Sequence, residues 1–283
     1  MRSRALIRAA TSSTSFARCF AIGAVIATAL TIDVGDAIAC SRILWTADGQ
    51  PVLVGRNEDW FESLETKLYV FPKGIERDGA VDRNPMRWTS KYGSVSAVVY
   101  GIAITDGMND AGLNANLLYL AESKFGDRDT SKRGLSVSIF AQWMLDNFAT
   151  VDEVVEALDG VQLVPITMMH DQDKVESPFH YSIADKSGNS AIIEILDGEY
   201  VIHKGPEFTV MTNSPTYDEQ LEQAKQYVGL GGSKPLPGGS QSHERYARGA
   251  YYLNLLPDKP ASAREAVANV LSVIRNMSTP WGV

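Results

Sequence analysis

Residues 37–60 read AIACSRILWTADGQPVLVGRNEDW. Within this stretch the apolar runs Ile43–Thr46 and Val52–Gly55 flank an Asp-Gly pair, a pattern that predicts a β-hairpin. Cys40 lies just before the first run, and the charged segment Arg56–Trp60 follows the second. Because the strands of a hairpin run antiparallel, we expect the charged segment to return to the neighbourhood of Cys40. The stretch therefore predicts a thiol at a strand end, beside an arginine and carboxylates.

The first 39 residues have the pattern of a secretory signal peptide. Arginines at positions 2, 4, 8 and 18 precede an uncharged run from Cys19 to Ile32. This run is shorter than the ~20 apolar residues that a membrane-spanning helix needs. Ala37 and Ala39 place small residues at positions −3 and −1 of a cleavage site. We therefore predict a signal peptide over residues 1–39, cleavage after Ala39, and export to the periplasm or the cell exterior.

Cleavage would make Cys40 the first residue of the mature chain. Cys19 would leave with the leader, so the mature chain would hold one thiol and no internal disulfide. An N-terminal cysteine combines a nucleophile with a base, because an α-amino pKa of ~7.7–8.0 leaves that group partly neutral near pH 7–8. An exported lipoprotein with a binding role is the alternative from a different class, and lipidation would block both groups. Ala37 stands where such a signal normally has a leucine-like residue.

Composition and spacing argue against several other functions. The chain has 26 Lys and Arg against 34 Asp and Glu, a formal net charge of −8. It has no Lys/Arg-rich run, which argues against a nucleic-acid partner. Nothing after the leader is apolar over enough residues to span a membrane. The four histidines occur in no metal-ligand spacing and no Cys/His motif. A cysteine hydrolase without a catalytic histidine, a metal or a cofactor fits these observations.

Strand and helix patterns occur in blocks along the mature chain. Ser94–Ile104 reads as one strand followed by a turn, and Tyr181–Ala184 and Ala191–Leu196 read as a second hairpin. His243–Leu255 and Ser262–Ile274 show the apolar spacing of amphipathic helices. Blocks of strands and helices, in place of regular βαβ alternation, predict a layered α+β domain.

The motifs resemble those of the choloylglycine hydrolase and penicillin V acylase family, which consists of N-terminal nucleophile hydrolases that cut linear amides. In that family an arginine and an aspartate follow the nucleophilic cysteine by 16 and 19 residues, as Arg56 and Asp59 follow Cys40 here. The resemblance runs from Cys40 to the chain end. Its further motifs are Asp106-Gly107-Met108-Asn109, Met211-Thr212-Asn213-Ser214-Pro215 and Ser242-His243-Glu244-Arg245-Tyr246.

The resemblance implies a fold and a domain range. Residues 40–283 would form the four-layer αββα sandwich of N-terminal nucleophile hydrolases, with Cys40 at a central strand. The family normally continues well past the segment that matches Ile274–Gly282, so the domain would lack the family's C-terminal segment. Cys40 matches the nucleophile, and Arg56 and Asp59 match the pair around its thiol and amine.

The resemblance also implies an oxyanion hole and an acyl pocket. Asn213 would contribute its side-chain amide and Tyr119 its backbone N–H, while Arg245 matches the second arginine of the site. Trp60, Phe61 and Tyr119 would line an apolar pocket for the acyl group.

The implied activity is hydrolysis of a small-molecule linear amide through an acyl-thioester, as in a penicillin V acylase. The aromatic residues at Trp60 and Tyr119 favour a phenoxyacetyl or fatty-acyl amide over a bile salt. Bile salt hydrolase and acyl-homoserine lactone acylase activities of the same family stay open. The resemblance implies a homotetramer and requires no metal or cofactor.

Overall fold

The computed structural model describes residues 39–60, 62–170 and 173–279. The strands in these ranges are β1 (Ser41–Trp45), β2 (Leu53–Asn57), β3 (Lys67–Phe71), β4 (Glu76–Asp78), β5 (Arg87–Thr89), β6 (Ser94–Val99), β7 (Ala103–Asn109), β8 (Asn114–Tyr119), β9 (Gly134–Ser136), β10 (Gln162–Val164), β11 (Thr167–His170), β12 (Asp173–Glu176), β13 (Phe179–Ala184), β14 (Ser190–Leu196), β15 (Glu199–Lys204) and β16 (Val210–Met211). The α-helices are α1 (Phe140–Asn147), α2 (Val151–Ala157), α3 (Tyr217–Ala224), α4 (Ser242–Leu253) and α5 (Ala263–Asn276). The predicted signal peptide lies outside the described residues except for Ala39, and Phe61 also lies outside them.

The larger sheet has seven strands in the order β15-β14-β13-β8-β7-β6-β3. Every neighbouring pair is antiparallel. The predicted hairpin of β13 and β14 is confirmed, with Tyr181 opposite Ile193. Strands β8 and β13 pair despite their separation in sequence, which places Tyr119 opposite Phe179.

The smaller sheet has three strands in the order β16-β1-β2, so β1 is its central strand. The predicted N-terminal hairpin is confirmed: Ser41 pairs with Asn57 and Arg42 pairs with Arg56. On the other side of β1, Arg42 pairs with Met211 of β16. This order places the chain that follows Cys40 between two neighbouring strands.

Two sheets stacked between helices make the predicted four-layer αββα arrangement, and the α+β class is confirmed. On β8, Ala115 and Leu117 face a core that contains Phe140 of α1, whereas Leu118 packs with Ile43 of β1. This alternation follows from the two-residue period of a strand. Helices α4 and α5 cover the far face of the smaller sheet.

Close packing of β2 on α5 depends on Gly55. A methyl group there would lie 2.7 Å from Val270 Cγ1, below any ordinary contact distance. Gly55 therefore allows the helix to approach the hairpin that carries Arg56. Among the described residues, no helix is both long and apolar enough to cross a bilayer.

One strand prediction was wrong. Ser94–Ile104 is not one strand: it covers β6 and the start of β7, which form an antiparallel pair joined by a tight turn with Tyr100 at φ 52° and Gly101 at φ 71°. Two consecutive positive φ angles are typical of a two-residue hairpin turn. Tyr100 hides this turn from sequence inspection, because positive φ usually indicates Gly, Asn or Asp. As a result Asp106 lies within β7 and not in a turn.

Candidate active site

Cys40 lies immediately before β1 and is 4% exposed. Its Sγ is 4.0 Å from the backbone oxygen of Asp59, and the Ala39 N–H donates to the same oxygen at 3.1 Å. The hairpin register brings these residues together, because Ser41 lies opposite Asn57. The predicted return of the charged segment to the thiol is confirmed.

Arg56 lies between the two sheets and is held there by the larger one. Its Nε donates to Asp106 Oδ1 at 3.0 Å, and its Nη2 donates to the Leu117 carbonyl at 2.9 Å. Asn116 Nδ2 donates to the same Asp106 oxygen at 2.8 Å. Glu58 Oε1 lies 3.8 Å from Arg56 Nη2. The Arg56 guanidinium is therefore held both by the negative charges of Asp106 and Glu58 and by directional hydrogen bonds to Asp106 and the Leu117 carbonyl.

Two opposing effects act on the Cys40 thiol. Burial raises its pKa, because an apolar environment disfavours the thiolate. Arg56 lowers that pKa by its charge and by a hydrogen bond, and Arg245 lowers it by charge. Burial dominates, so the net pKa lies above the ordinary value. Arg56 itself stays charged: burial lowers its pKa, but Asp106 and Cys40 raise it above the usual arginine range overall.

Asn213 and Arg245 form a second hydrogen-bonded pair of the site. Arg245 Nη2 donates to Asn213 Oδ1 at 2.7 Å, and Asn213 Nδ2 donates to the Tyr119 carbonyl at 2.9 Å. These two bonds fix which end of the Asn213 amide is the donor. An amide NH₂ has two hydrogens, so one remains for another acceptor.

Arg245 also holds the backbone at Cys40. Its Nη1 donates to the Cys40 carbonyl and to Ser41 Oγ, each at 2.6 Å. Helix α4 begins three residues earlier, where Glu244 Oε2 accepts from the Gln241 N–H at 3.2 Å. The helix start therefore aims Arg245 at β1. Burial lowers the pKa of Arg245 to about 10, which leaves it protonated at neutral pH.

Asp59 lies on the α5 side of the site. Its Oδ2 accepts from the Thr279 N–H at 3.2 Å, just beyond the end of α5. Burial raises the pKa of Asp59, while the Thr279 hydrogen bond and the charges of Arg245 and Arg56 oppose that rise. The Asp59 carboxylate therefore interacts electrostatically with both Arg245 and Arg56.

A cavity of about 280 Å³ opens onto the thiol. Trp60 and Tyr119 stand together on its wall, with ring centroids 6.5 Å apart and planes inclined at 57°. The other lining side chains are mostly apolar; they include Leu64, Val99, Ile102, Leu117, Ile166 and Phe179, with Arg56, Glu58 and Glu62 as charged members. The structure brings Cys40, Arg56, Trp60 and Tyr119 to this cavity, and Asp59, Asn213 and Arg245 lie behind it.

Sequence reasoning missed several polar residues of the site. Asp106 belonged to a motif of the resemblance without a role of its own, but it pairs with Arg56. Ser242 Oγ accepts from the Asn213 N–H at 2.9 Å, and Gln220 donates to the Asn213 carbonyl. His180 is fully buried in β13. The sequence signal that could have revealed such residues is a polar side chain at every second position of an otherwise apolar strand, as His180 and Ser182 show in β13.

No group of three His, Cys, Asp or Glu side chains within residues 39–60, 62–170 and 173–279 could hold a metal ion. The polar groups of the site are instead bonded to one another, as the Arg56–Asp106 and Arg245–Asn213 contacts illustrate.

An αββα sandwich with a thiol at the start of a central strand defines the class of N-terminal nucleophile hydrolases. Comparison with known proteins is consistent with that class. A family model described as linear amide C-N hydrolases, choloylglycine hydrolase family, matches residues 40–283. The chain therefore belongs to this family and is a linear amide hydrolase.

Particular relatives make the similarity more specific. Penicillin V acylase of Pectobacterium atrosepticum is 39% identical over 274 residues, which cover 90% of this chain and 73% of the relative. The solved structure of penicillin V acylase from Agrobacterium tumefaciens is 43% identical, with a TM-score of 0.78 over 86% of this chain and 74% of that one. A mutant conjugated bile acid hydrolase from Clostridium perfringens shares the fold, with a TM-score of 0.71 over 84% of this chain and 78% of that one, at 23% identity.

Proposed function

We propose that the mature chain hydrolyses the side-chain amide of penicillin V and of similar aryl-acyl amides, with Cys40 as the nucleophile. The observation that carries this proposal is the position of the Cys40 thiol, which opens onto an aromatic-lined cavity of about 280 Å³. A donor amide from Asn213 lies on the Tyr119 side of the same site. Thiol, acyl pocket and oxyanion donor are the parts that acyl transfer requires.

The first half of the reaction forms a thioester. The α-amino group of mature Cys40 takes the thiol proton, and the thiolate attacks the amide carbon. The developing oxyanion receives the remaining hydrogen of Asn213 Nδ2 and the backbone N–H of Tyr119. Collapse of this intermediate breaks the C–N bond, and the α-ammonium group gives its proton to the leaving amine.

The second half regenerates the enzyme. The neutral α-amino group takes a proton from water, which attacks the thioester carbon. The same donors stabilise the second oxyanion, and collapse breaks the C–S bond. The α-ammonium group gives its proton to the departing thiolate, which releases the carboxylic acid and restores the thiol. The fixed charge of Arg56 supports the thiolate in both halves, because a nearby cation lowers a thiol pKa.

Pocket size and lining support the choice of acyl group. The volume of about 280 Å³ falls below the range of roughly 300–1,000 Å³ typical of pockets that enclose a whole drug-sized ligand. It suits one aromatic ring and a short linker better than a steroid nucleus. The inclined rings of Trp60 and Tyr119 offer edge and face contacts to such a ring.

The proposal includes export and processing at the Ala39–Cys40 bond. While that bond is intact, Cys40 has no α-amino group and no base for its thiol. The Ala39 N–H also donates a hydrogen bond to the Asp59 carbonyl, so this acceptor is already used in the uncleaved chain. Cleavage after Ala39 frees this acceptor beside the new N-terminus. The implied homotetramer belongs to the proposal as well, and light scattering of the mature protein tests it.

The test compares the mature protein with its Cys40→Ala and Cys40→Ser variants on penicillin V, glycocholate and a long-chain acyl-homoserine lactone. We expect hydrolysis of penicillin V above the other two and complete loss in Cys40→Ala. Full amidase activity in either variant would contradict the proposal. Intact mass separates the alternatives for the N-terminus: an unmodified Cys40 supports the hydrolase, and added acyl mass supports the lipoprotein.

A further inference from the structure

A buried cluster of His180, Glu194 and His203 lies between the sheets, outside the cavity. His180 Nδ1 is 3.6 Å from Glu194 Oε1, and His203 Nε2 is 3.8 Å from Glu194 Oε2. His180 is fully buried and Glu194 is 1% exposed. Buried charged groups are costly unless they are paired, so such a cluster calls for an explanation.

His180 connects this cluster to the segment that carries Asn213. Its Nε2 lies 3.0 Å from the carbonyl oxygen of Thr212. Because a carbonyl can only accept, Nε2 carries the hydrogen. Glu194 is itself fixed, since its Oε1 accepts from the Tyr217 N–H at 2.9 Å at the start of α3. The imidazole therefore lies between a fixed carboxylate, 3.6 Å from Nδ1, and the Thr212–Asn213 peptide.

Other hydrogen bonds at this segment come from both sides. Ser242 Oγ receives the Asn213 N–H, and Gln220 donates to the Asn213 carbonyl from α3. The larger sheet reaches the segment through His180 at the Thr212 carbonyl and through the Tyr119 carbonyl at Asn213 Nδ2. His180 lies on β13, and its neighbour Phe179 pairs with Tyr119 on β8. Adjacent residues of one strand thus contact both sides of the oxyanion hole.

We propose that His180, oriented by Glu194, is a positioning residue that sets the location of the Asn213 amide relative to Tyr119. It touches neither substrate nor thiol and acts through the Thr212 carbonyl. The inference rests on the proposed use of Asn213 as an oxyanion donor. A donor displaced by a fraction of an ångström weakens the transition state more than the ground state.

The experiment measures kcat and KM for the best amide substrate of the mature enzyme in His180→Leu, His180→Gln and the matched control His203→Leu. His180→Leu removes the donor to Thr212, whereas a glutamine amide at the same position can still donate. His203 borders the same carboxylate, and its ring packs on Phe208 and Tyr217. Thermal melting and the rate of Cys40 alkylation by iodoacetamide report whether each variant retains its fold and its thiol.

We expect His180→Leu to lower kcat about 10- to 100-fold, as for a misplaced catalytic group, with KM little changed. His180→Gln should recover most of that loss, and His203→Leu should keep kcat within about threefold. Alkylation of Cys40 should proceed at the wild-type rate in all three variants. If His180→Leu keeps wild-type kcat, or loses alkylation and hydrolysis together, the positioning role is wrong.

A double-mutant comparison completes the test. Asn213→Ala alone should reduce kcat about 10²- to 10³-fold, the usual effect of removing an oxyanion donor. If His180 acts through Asn213, His180→Leu should have no further effect on kcat in the Asn213→Ala background. Multiplied losses would overturn the proposal. A wild-type enzyme without amidase activity would instead contradict the proposed function, so the two failures are distinguishable.

Discussion

Arg245 Nη2 donates a 2.7 Å hydrogen bond to Asn213 Oδ1, and this contact joins the two halves of the site. The same guanidinium holds the Cys40 carbonyl at 2.6 Å through Nη1. One planar group therefore fixes both the backbone of Cys40, the proposed nucleophile, and the orientation of the Asn213 amide, the proposed oxyanion donor. A fork of this shape can serve several acceptors at once, which a lysine ammonium cannot do in the same geometry.

Arg245→Lys should lower kcat for amide hydrolysis by about 10- to 100-fold, because the Asn213 amide and the Cys40 backbone lose their common support. Steady-state kinetics on the mature enzyme measures the change. Arg248→Lys is the matched control, since Arg248 lies one turn further along α4 and donates to Gly239 and Asn276. That control should lose stability but keep its kcat, and equal losses of kcat in both variants would refute a specific role for Arg245.

Arg56→Met should shift the pH profile of Cys40 alkylation to higher pH. Burial already raises the thiol pKa, and Arg56 is the largest influence that lowers it. Removing the cation removes that opposing effect, so the thiolate forms only at a higher pH. Iodoacetamide rates measured across pH report the change directly. The exposed Arg264→Met variant should follow the wild-type curve, and an unshifted Arg56→Met curve would show that the guanidinium does not act on the thiol.

Gly107→Ala should reduce the free energy of unfolding by about 1–3 kcal/mol, the usual cost of overpacking. A Cβ at Gly107 would lie 2.5 Å from Leu145 Cδ1 of α1 and 3.0 Å from the Val95 carbonyl. Gly160→Ala is the control, because nothing lies within 4 Å of a Cβ there. Urea denaturation of both variants checks the prediction, which fails if the two substitutions have the same effect.

Glu194→Gln should make stability less dependent on pH in the acid range. Burial raises the pKa of Glu194, but the neighbouring His180 and His203 imidazoles, 3.6 and 3.8 Å away, lower it overall to about 2. Since the folded-state pKa lies below the unfolded value of about 4.3, the carboxylate stabilises the fold above pH 4.3. That stabilisation is lost as the pH falls toward 2.

A depression of this size corresponds to about 3 kcal/mol, of which about 2 kcal/mol should be lost by pH 3. Urea unfolding of wild type and Glu194→Gln at pH 6 and pH 3 measures the difference, which should shrink by that amount. Glu222→Gln is the control, because Glu222 lies in an exposed ion pair with Lys225 of little energetic value. A constant difference between wild type and Glu194→Gln would contradict the pKa assignment.

The local pattern of residues 40–60 was sufficient to place Cys40 beside Arg56 and Asp59. A hairpin with a short turn has one favourable pairing register, so neighbours in sequence become neighbours in space. The same locality explains why the β13–β14 hairpin and helices α4 and α5 could be recognised from their residue patterns. Asn213 and Arg245 were assigned only through a family resemblance, since no local pattern relates them to residue 40.

Stacking of the two sheets decided the rest of the site. Arg245 meets Cys40 across 205 residues of chain, and Arg56 meets Asp106 across 50, because each contact forms between layers. The cavity beside Cys40 and the place of His180 behind Asn213 depend on the same packing. Polar side chains on the inner faces satisfy one another there, and burial then sets the pKa of the thiol. These effects need the assembled layers, because no single strand carries both partners.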